Sequence, residues 1–277
     1  ASCIPHPASC IPHPASCIRP SENISVLLPL NPQKQGRMGL KLNLIRKTKW
    51  NFIRFGLHRI FGPFSGAMLN LAYLSKVSKW ISVNKNIEFN DFYSPKWDYN
   101  KRYKLYEYVL NKKQLSGKIH YMEFGVSGGH SFEWWVNRNT DSGSLFTGFD
   151  TFEGLPEDWG GFQKGAMSTN SKLPQVSDKR AEFVRGLFQD SLPDYVKNLD
   201  RSCRKVIMMD ADLYTSTLYV LTTLAPYIGK GDIIFFDQFN VPMHEFLAFI
   251  NFTSSYYLKM QLIGAANNYY FCAFEVA

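Results

Sequence analysis

No long, uninterrupted apolar run occurs in this 277-residue chain, so no membrane-spanning helix is expected. Cysteine is scarce. Of five, Cys3, Cys10 and Cys17 fall in a short N-terminal repeat, and Cys203 and Cys272 stand alone. That pattern excludes a disulfide framework and suits a reducing, cytoplasmic compartment. A secretory signal pattern is also missing. Between Glu22 and Glu88 the chain has no acid at all, while eleven lysines and arginines fall there. The net charge of +8 therefore belongs to that stretch, and the remainder is slightly acidic. Disorder throughout is excluded by an apolar fraction of 45 %, enough for a sizeable core.

Three regions follow from composition. Residues 1–36 hold a Cys-, His- and Pro-containing repeat (1–20) and a linker; regular proline blocks helix and ladder pairing there. The Cys/His spacing leaves metal binding open, beside a tail or artefact with no part in the fold. Residues 37–100 form a basic, aromatic-rich extension. Within it Leu42, Ile45, Trp50, Ile53, Leu57, Ile60, Phe61 and Phe64 approximate helical spacing, and Pro63 is expected to end or kink the helix. The basic stretch 38–85 suits packing on another surface, self-association in a homo-oligomer, or peripheral contact with an anionic membrane. No nucleic-acid motif accompanies it, so nucleic acid is not expected as a partner.

From 101 to 277 strands and helices alternate. Helices are expected at 101–113, 131–137, 180–186 and 217–228. Strands are expected at 119–126, 145–149, 187–189, 205–210 and 232–237, with a closing pair at 258–264 and 269–276. This alternation predicts an α/β, doubly wound, mostly parallel sheet. Several strands end in acids, and in such sheets ligands bind at the strands' carboxyl ends.

Glu123-Phe124-Gly125-Val126-Ser127-Gly128-Gly129-His130-Ser131 reads as a strand turning into a helix. Its glycines permit a sharp turn and close approach of a ligand, and the helix start offers free N–H groups. The spacing departs from both the nicotinamide fingerprint and the P-loop. Glu123 can accept hydrogen bonds from a ligand ammonium. Asp150 closes the next strand, where doubly wound folds hold ribose hydroxyls. Further on, Asp210 and Asp212 flank Ala211, and Asp237 ends another apolar run. Three converging carboxylates can hold a divalent cation and take a proton. Asp210 and Asp212 serve one site only if the chain turns at Ala211. His244-Glu245 can line an acceptor pocket, whereas His120, His130, Cys203 and Cys272 read as ordinary structural residues.

Taken in order, the glycine turn, Phe149-Asp150-Thr151-Phe152-Glu153-Gly154-Leu155-Pro156, Gly186-Leu187-Phe188-Gln189-Asp190-Ser191-Leu192-Pro193, Asp210-Ala211-Asp212-Leu213-Tyr214 and Ile233-Ile234-Phe235-Phe236-Asp237 resemble the macrocin O-methyltransferase family. These are class I S-adenosylmethionine-dependent enzymes that methylate sugar hydroxyls. The resemblance covers about 101–240 and more loosely reaches 277. It implies a Rossmann-like, seven-stranded sheet and a sugar-containing acceptor, such as a natural-product sugar, glycan or glycolipid. It implies S-adenosyl-L-methionine held by Glu123, Gly125, Val126, Ser127, Gly128 and Ser131, by Asp150, Thr151 and Phe152, and by Gln189, Asp190 and Ser191. The segment Glu153 to Pro156 resembles a mobile loop over the site. Asp212 is implied as the general base. Magnesium is implied at Asp210, Asp237 and Gln238. The family usually has a second acid where this chain has Gln238, so two readings stay open: magnesium held with more water ligands, or metal use reduced or lost.

Overall fold

The computed structural model describes residues 32–277, with side chains from residue 39. The repeat at 1–20, with Cys3, Cys10 and Cys17, and residues 21–31 lie outside the described residues. The chain divides into two compact units, Ala1–Phe61 and Gly62–Ala277.

In the first unit, α1 (Pro32–Arg54) begins inside the stretch expected as linker. Leu40, Leu44, Trp50 and Ile53 are exposed along it, between lysines and arginines. The expected break at Pro63 falls earlier. Gly56, at φ +60°, separates α1 from α2 (His58–Val83). Helix α2 runs through Pro63, a ring that removes one backbone donor near the helix start.

The second unit opens within α2 and contains the sheet. Strands β1 (Phe89–Asn90), β2 (His120–Phe124), β3 (Leu145–Asp150), β4 (Ala181–Arg185), β5 (Lys205–Met209), β6 (Ile233–Phe236), β7 (Met260–Ala266) and β8 (Phe271–Val276) lie in the order β1-β7-β8-β6-β5-β2-β3-β4. Only β8 runs antiparallel to its neighbours. Helices α3 (Lys101–Lys112), α4 (His130–Arg138), α5 (Phe188–Tyr195), α6 (Tyr214–Leu224) and α7 (Glu245–Ser255) complete the unit. The expected α/β, mostly parallel sheet is present, with eight strands instead of seven. The extra one is β1, two residues paired in parallel with the outer side of β7.

The central strands are buried on both faces, so their sequences read as continuous apolar runs. In β5, Val206 and Met208 face one core layer and Ile207 and Met209 the other, as a period of two demands. The first layer also takes Tyr106, Trp135 and Phe132 from α3 and α4. The second takes Leu221, Phe246 and Phe249 from α6 and α7, with Val77 and Trp80 from the end of α2. Trp80 lies 4.9 Å from the Phe239 ring and 6.0 Å from Phe274.

Residues 181–185 form strand β4, where a helix was expected over 180–186. Ala181 and Phe183 pack on one core layer and Val184 on the other, a period of two that the short length hides. Residues 188–189, expected in a strand, begin α5 instead. Helix α7 was not anticipated. Its apolar residues run together from Phe246 to Ile250 instead of recurring at helical spacing, so it has little amphipathic signal.

Candidate active site

Strand β2 stops at Phe124 because the chain must turn there. Gly125 takes φ +91°, and its N–H donates to Phe149 O at 2.9 Å. A Cβ on Gly125 would stand 1.9 Å from Asp210 O, so neighbouring strand β5 leaves no room for one. Gly125→Ala combines a left-handed φ with that clash. It is expected to destabilise the fold by about 2–5 kcal/mol, read as a lowered urea midpoint.

Asp150, at the end of β3, ties the turn together. Its Oδ2 accepts the N–H groups of Val126 (2.8 Å) and Ser127 (2.7 Å), and its Oδ1 accepts that of Phe152 (2.7 Å). A carboxylate offers about four acceptor sites, so one remains for a ligand hydroxyl. Glu123 is buried completely. It accepts hydrogen bonds from Ser131 Oγ and Tyr121 OH, both at 2.5 Å. Burial pushes its pKa up to about 7, against the opposing pull of those two hydroxyls.

A cavity of about 410 Å³ opens at the carboxyl ends of β2, β3, β5 and β6, the position expected for a doubly wound sheet. Gly125, Ser127, Asp150, Thr151, Gln189, Asp210, Asp212, Asp237 and Gln238 all line it. The other expected residues stand behind this lining. Glu123, Val126, Ser131 and Phe152 are buried in the turn, and Gly128, Asp190 and Ser191 are away from the cavity wall. Ser191 donates to Leu187 O at 2.9 Å within α5. The segment after β3 forms one wall: Leu155, Pro156, Trp159, Phe162 and Met167 face the cavity. The Trp159 and Phe162 rings stack at 5.4 Å. His244 sits edge-on to Trp159 at 6.1 Å, behind the lining.

The turn after β5 centres one residue later than expected. Leu213 N donates to Ala211 O at 2.5 Å, and Asp212 takes φ +58°. This left-handed residue brings the Asp212 carboxylate into the cavity beside Asp210. Backbone strain of this kind collects at functional sites. Asp212 is 7 % exposed and accepts a hydrogen bond from Gln238 Nε2. Burial first, and then the Asp210 charge, push its pKa up to about 7.

Asp210 and Asp237 meet a cation that the sequence did not announce. Arg102 of α3 places Nη2 3.2 Å from Asp210 Oδ2 and 3.3 Å from Asp237 Oδ1. Burial holds both carboxyls above the ordinary range, and Arg102 draws them down. Glu245, expected with His244 to line an acceptor pocket, is instead fully buried behind the cavity wall; its Oε2 accepts Gln238 N–H at 2.9 Å. The implied magnesium fits this donor set poorly. Gln238 has turned its amide nitrogen to Asp212, since its oxygen there would face a carboxylate. Of the two remaining acids, Asp210 accepts a hydrogen bond from the guanidinium, and Asp237 Oδ1 makes only a charge contact with it. Among the described residues no three acids, histidines or cysteines form a metal-binding group.

Residues 138–265 match a family model described as macrocin-O-methyltransferase (TylF). No curated protein matches the sequence. The solved structures similar to this chain include CalS11, a calicheamicin methyltransferase, at 18 % identity and TM-score 0.49, covering 74 % of this chain and 91 % of that one. The O-methyltransferase NovP is 19 % identical with TM-score 0.48, covering 64 % and 78 %. TomG from Streptomyces achromogenes, an O-methyltransferase involved in tomaymycin synthesis, is 14 % identical with TM-score 0.43, covering 74 % and 87 %.

Proposed function

We propose that this chain, an O-methyltransferase by its match to the macrocin-O-methyltransferase family over residues 138–265, moves a methyl group from S-adenosylmethionine to a hydroxyl of a sugar-containing acceptor. One observation carries the reading. The glycine turn with Asp150 and the strained, buried Asp212 open on the same cavity. Its lining also fits the donor. Asp150 retains acceptor capacity for a hydroxyl, and the acidic floor complements a cationic ligand.

S-adenosylmethionine, when bound, supplies a methyl carbon on a sulfonium whose C–S bond electrons leave to sulfur as a neutral thioether. The acceptor oxygen forms the new C–O bond, and its proton passes to Asp212. That carboxylate suits the task, because a pKa near 7 leaves about half of it ionised at neutral pH while making it a stronger base than an ordinary aspartate. Gln238 holds it by one hydrogen bond, and the left-handed turn fixes its direction. The main work is alignment of donor and acceptor. Gln189 and Thr151 would border the nucleoside, with Ser127 and Gly125 at the methionine end. Trp159, Phe162 and Met167 would exclude water and offer apolar faces to a sugar ring.

Calorimetry with S-adenosylmethionine, followed by a methyl-transfer screen over deoxysugar and glycan acceptors with and without magnesium, tests the reading. A folded protein that binds no S-adenosylmethionine would sink it.

For residues 38–85, apart from the end of α2 that packs Val77 and Trp80 into the core, a peripheral membrane role is the proposal. Leu40, Trp50, Ile53 and Phe55 are exposed beside Lys41, Arg46, Lys47, Lys49 and Arg54, the composition of an interfacial helix. Among the described residues no helix is long and apolar enough to cross a membrane. The protein is expected to co-sediment with phosphatidylserine vesicles at low salt and to be released at high salt. Equal sedimentation with neutral vesicles would contradict the electrostatic part.

A further inference from the structure

The acids at the cavity floor already have a counter-ion within the fold. The side chain of Arg102 is 4 % exposed, and both of its acidic partners belong to the cavity wall. Every part of the guanidinium is held. Nε donates to Tyr106 OH at 3.0 Å, Nη1 donates to Tyr99 OH, and Nη2 faces Asp210 and Asp237. The guanidinium carbon lies 4.5 Å from the Tyr99 ring centroid and 5.8 Å from that of Phe271. Tyr103 and Tyr106 add two further faces, each at 5.9 Å. Aromatic faces attract a cation, most strongly where water is excluded. A buried arginine with this many fixed partners is a built feature and not a surface side chain folded inward.

Position 238 fits the same pattern. Magnesium asks for near-octahedral oxygen ligands at short range. Gln238 contributes no charge; with its amide nitrogen committed to Asp212, it can offer only a neutral carbonyl oxygen, which is buried without a hydrogen-bond partner. A dication placed between Asp210 and Asp237 would also face the guanidinium at close quarters, where like charges repel strongly. The missing acid and the internal cation thus alter the charge balance in the same direction: each lowers the demand for a metal.

We propose that Arg102 is the resident cation of this site, holding Asp210 and Asp237 in place as a divalent metal otherwise would, so that methyl transfer here is independent of divalent metal. The transfer part rests on the methyltransferase reading above; the metal part does not. Arg102 does not line the cavity, so it acts as a positioning residue through the two acids.

The test is a Mn²⁺ titration of the full chain, read by electron paramagnetic resonance, with methyl transfer assayed in excess chelator. The wild-type protein is expected to show no saturable Mn²⁺ binding up to about 1 mM and no loss of transfer in chelator. The Arg102→Met, Gln238→Asp double variant removes the internal cation and restores the acid. It is expected to gain saturable binding, on the order of 10–100-fold tighter than wild type. Gln238→Asp combined with Arg102→Lys, which keeps a positive charge, is expected to gain little. A merely structural arginine would give the two folded double variants, with Met or with Lys at position 102, equal Mn²⁺ affinity, and that result would overturn the proposal. So would wild-type Mn²⁺ binding abolished by Asp237→Asn, or transfer lost in chelator and restored by magnesium. If the double variant does not fold, the wild-type titration alone decides. Because Mn²⁺ binding is read without turnover, failure to bind S-adenosylmethionine would remove the functional reading and remain distinguishable.

Discussion

Asp212→Asn is expected to lower the rate of methyl transfer by about 10²–10⁴-fold, the usual contribution of a general base, while leaving S-adenosylmethionine affinity nearly unchanged. Asparagine is the informative substitution, since it tolerates the left-handed backbone at this position and its side-chain oxygen can still accept from Gln238. The same change is expected to raise thermal stability at pH 8. The carboxyl's folded-state pKa, about 7, lies above its ordinary 3.8. The stability it contributes is therefore complete below pH 3.8 and is lost as pH rises through about 7. Above that, the native state holds an unfavourable buried charge that asparagine removes. Melting curves of the two proteins should nearly coincide at pH 4, with the variant higher at pH 8 by roughly 2–4 °C for each kcal/mol gained. In the wild type, kcat/KM should rise with pH through about 7 along the same titration. A variant that loses S-adenosylmethionine binding, or that keeps full turnover, would contradict the base assignment.

Asp150→Ala is expected to have the second largest effect, and a different one. It strips an ionised acceptor from three backbone N–H groups, those of Val126, Ser127 and Phe152. Hydrogen bonds to charged groups are worth about 1.5–3 kcal/mol each when buried. Ser127 is exposed and can turn to water, so the net stability loss should be about 2–4 kcal/mol. Affinity for S-adenosylmethionine should fall by at least about tenfold, equivalent to 1.4 kcal/mol. Asp150→Asn separates the two consequences. It keeps one oxygen for Phe152 and most of the fold, but loses the charge and half the acceptor capacity. Urea unfolding measures the first effect and calorimetry the second. Unchanged affinity in both variants would remove Asp150 from the donor site.

Strand-end acids were legible in the sequence for a physical reason. A central parallel strand is apolar on both faces, so the first charged residue after it marks the sheet's edge. Asp150, Asp210 and Asp237 all show this. Arg102 could not be read that way. It sits in Lys101-Arg102-Tyr103-Lys104, a string typical of a solvated helix, and it meets Asp210 only through a fold that joins positions 108 apart. The lateness of the turn at Asp212 was equally hidden, since left-handed backbone leaves no mark in residue type here. Strand β4 was misread because Ala181 to Arg185 is too short to separate a period of two from one of 3.6. Gly56 took the break assigned to Pro63 because a proline near a helix start removes only one donor, whereas φ +60° takes the backbone out of the right-handed helical range.

The two ends of the sheet bear on self-association. Unpaired edge strands are templates for further strands, and proteins blunt them with short or charged segments. At one end lies β1, only two residues long. Beyond it the chain is drawn off by Asn268, whose side chain accepts Ser94 N–H at 2.8 Å and donates to Ser94 O at 2.7 Å. At the other end β4 has Glu182 and Arg185 exposed, one on each face, and follows Asp178 and Arg180 paired at 2.7 Å. Neither rim invites strand addition. Copies of this protein that associate should therefore meet through helices or loops, and fibrillar growth along the sheet should be slow even in variants that weaken the cavity.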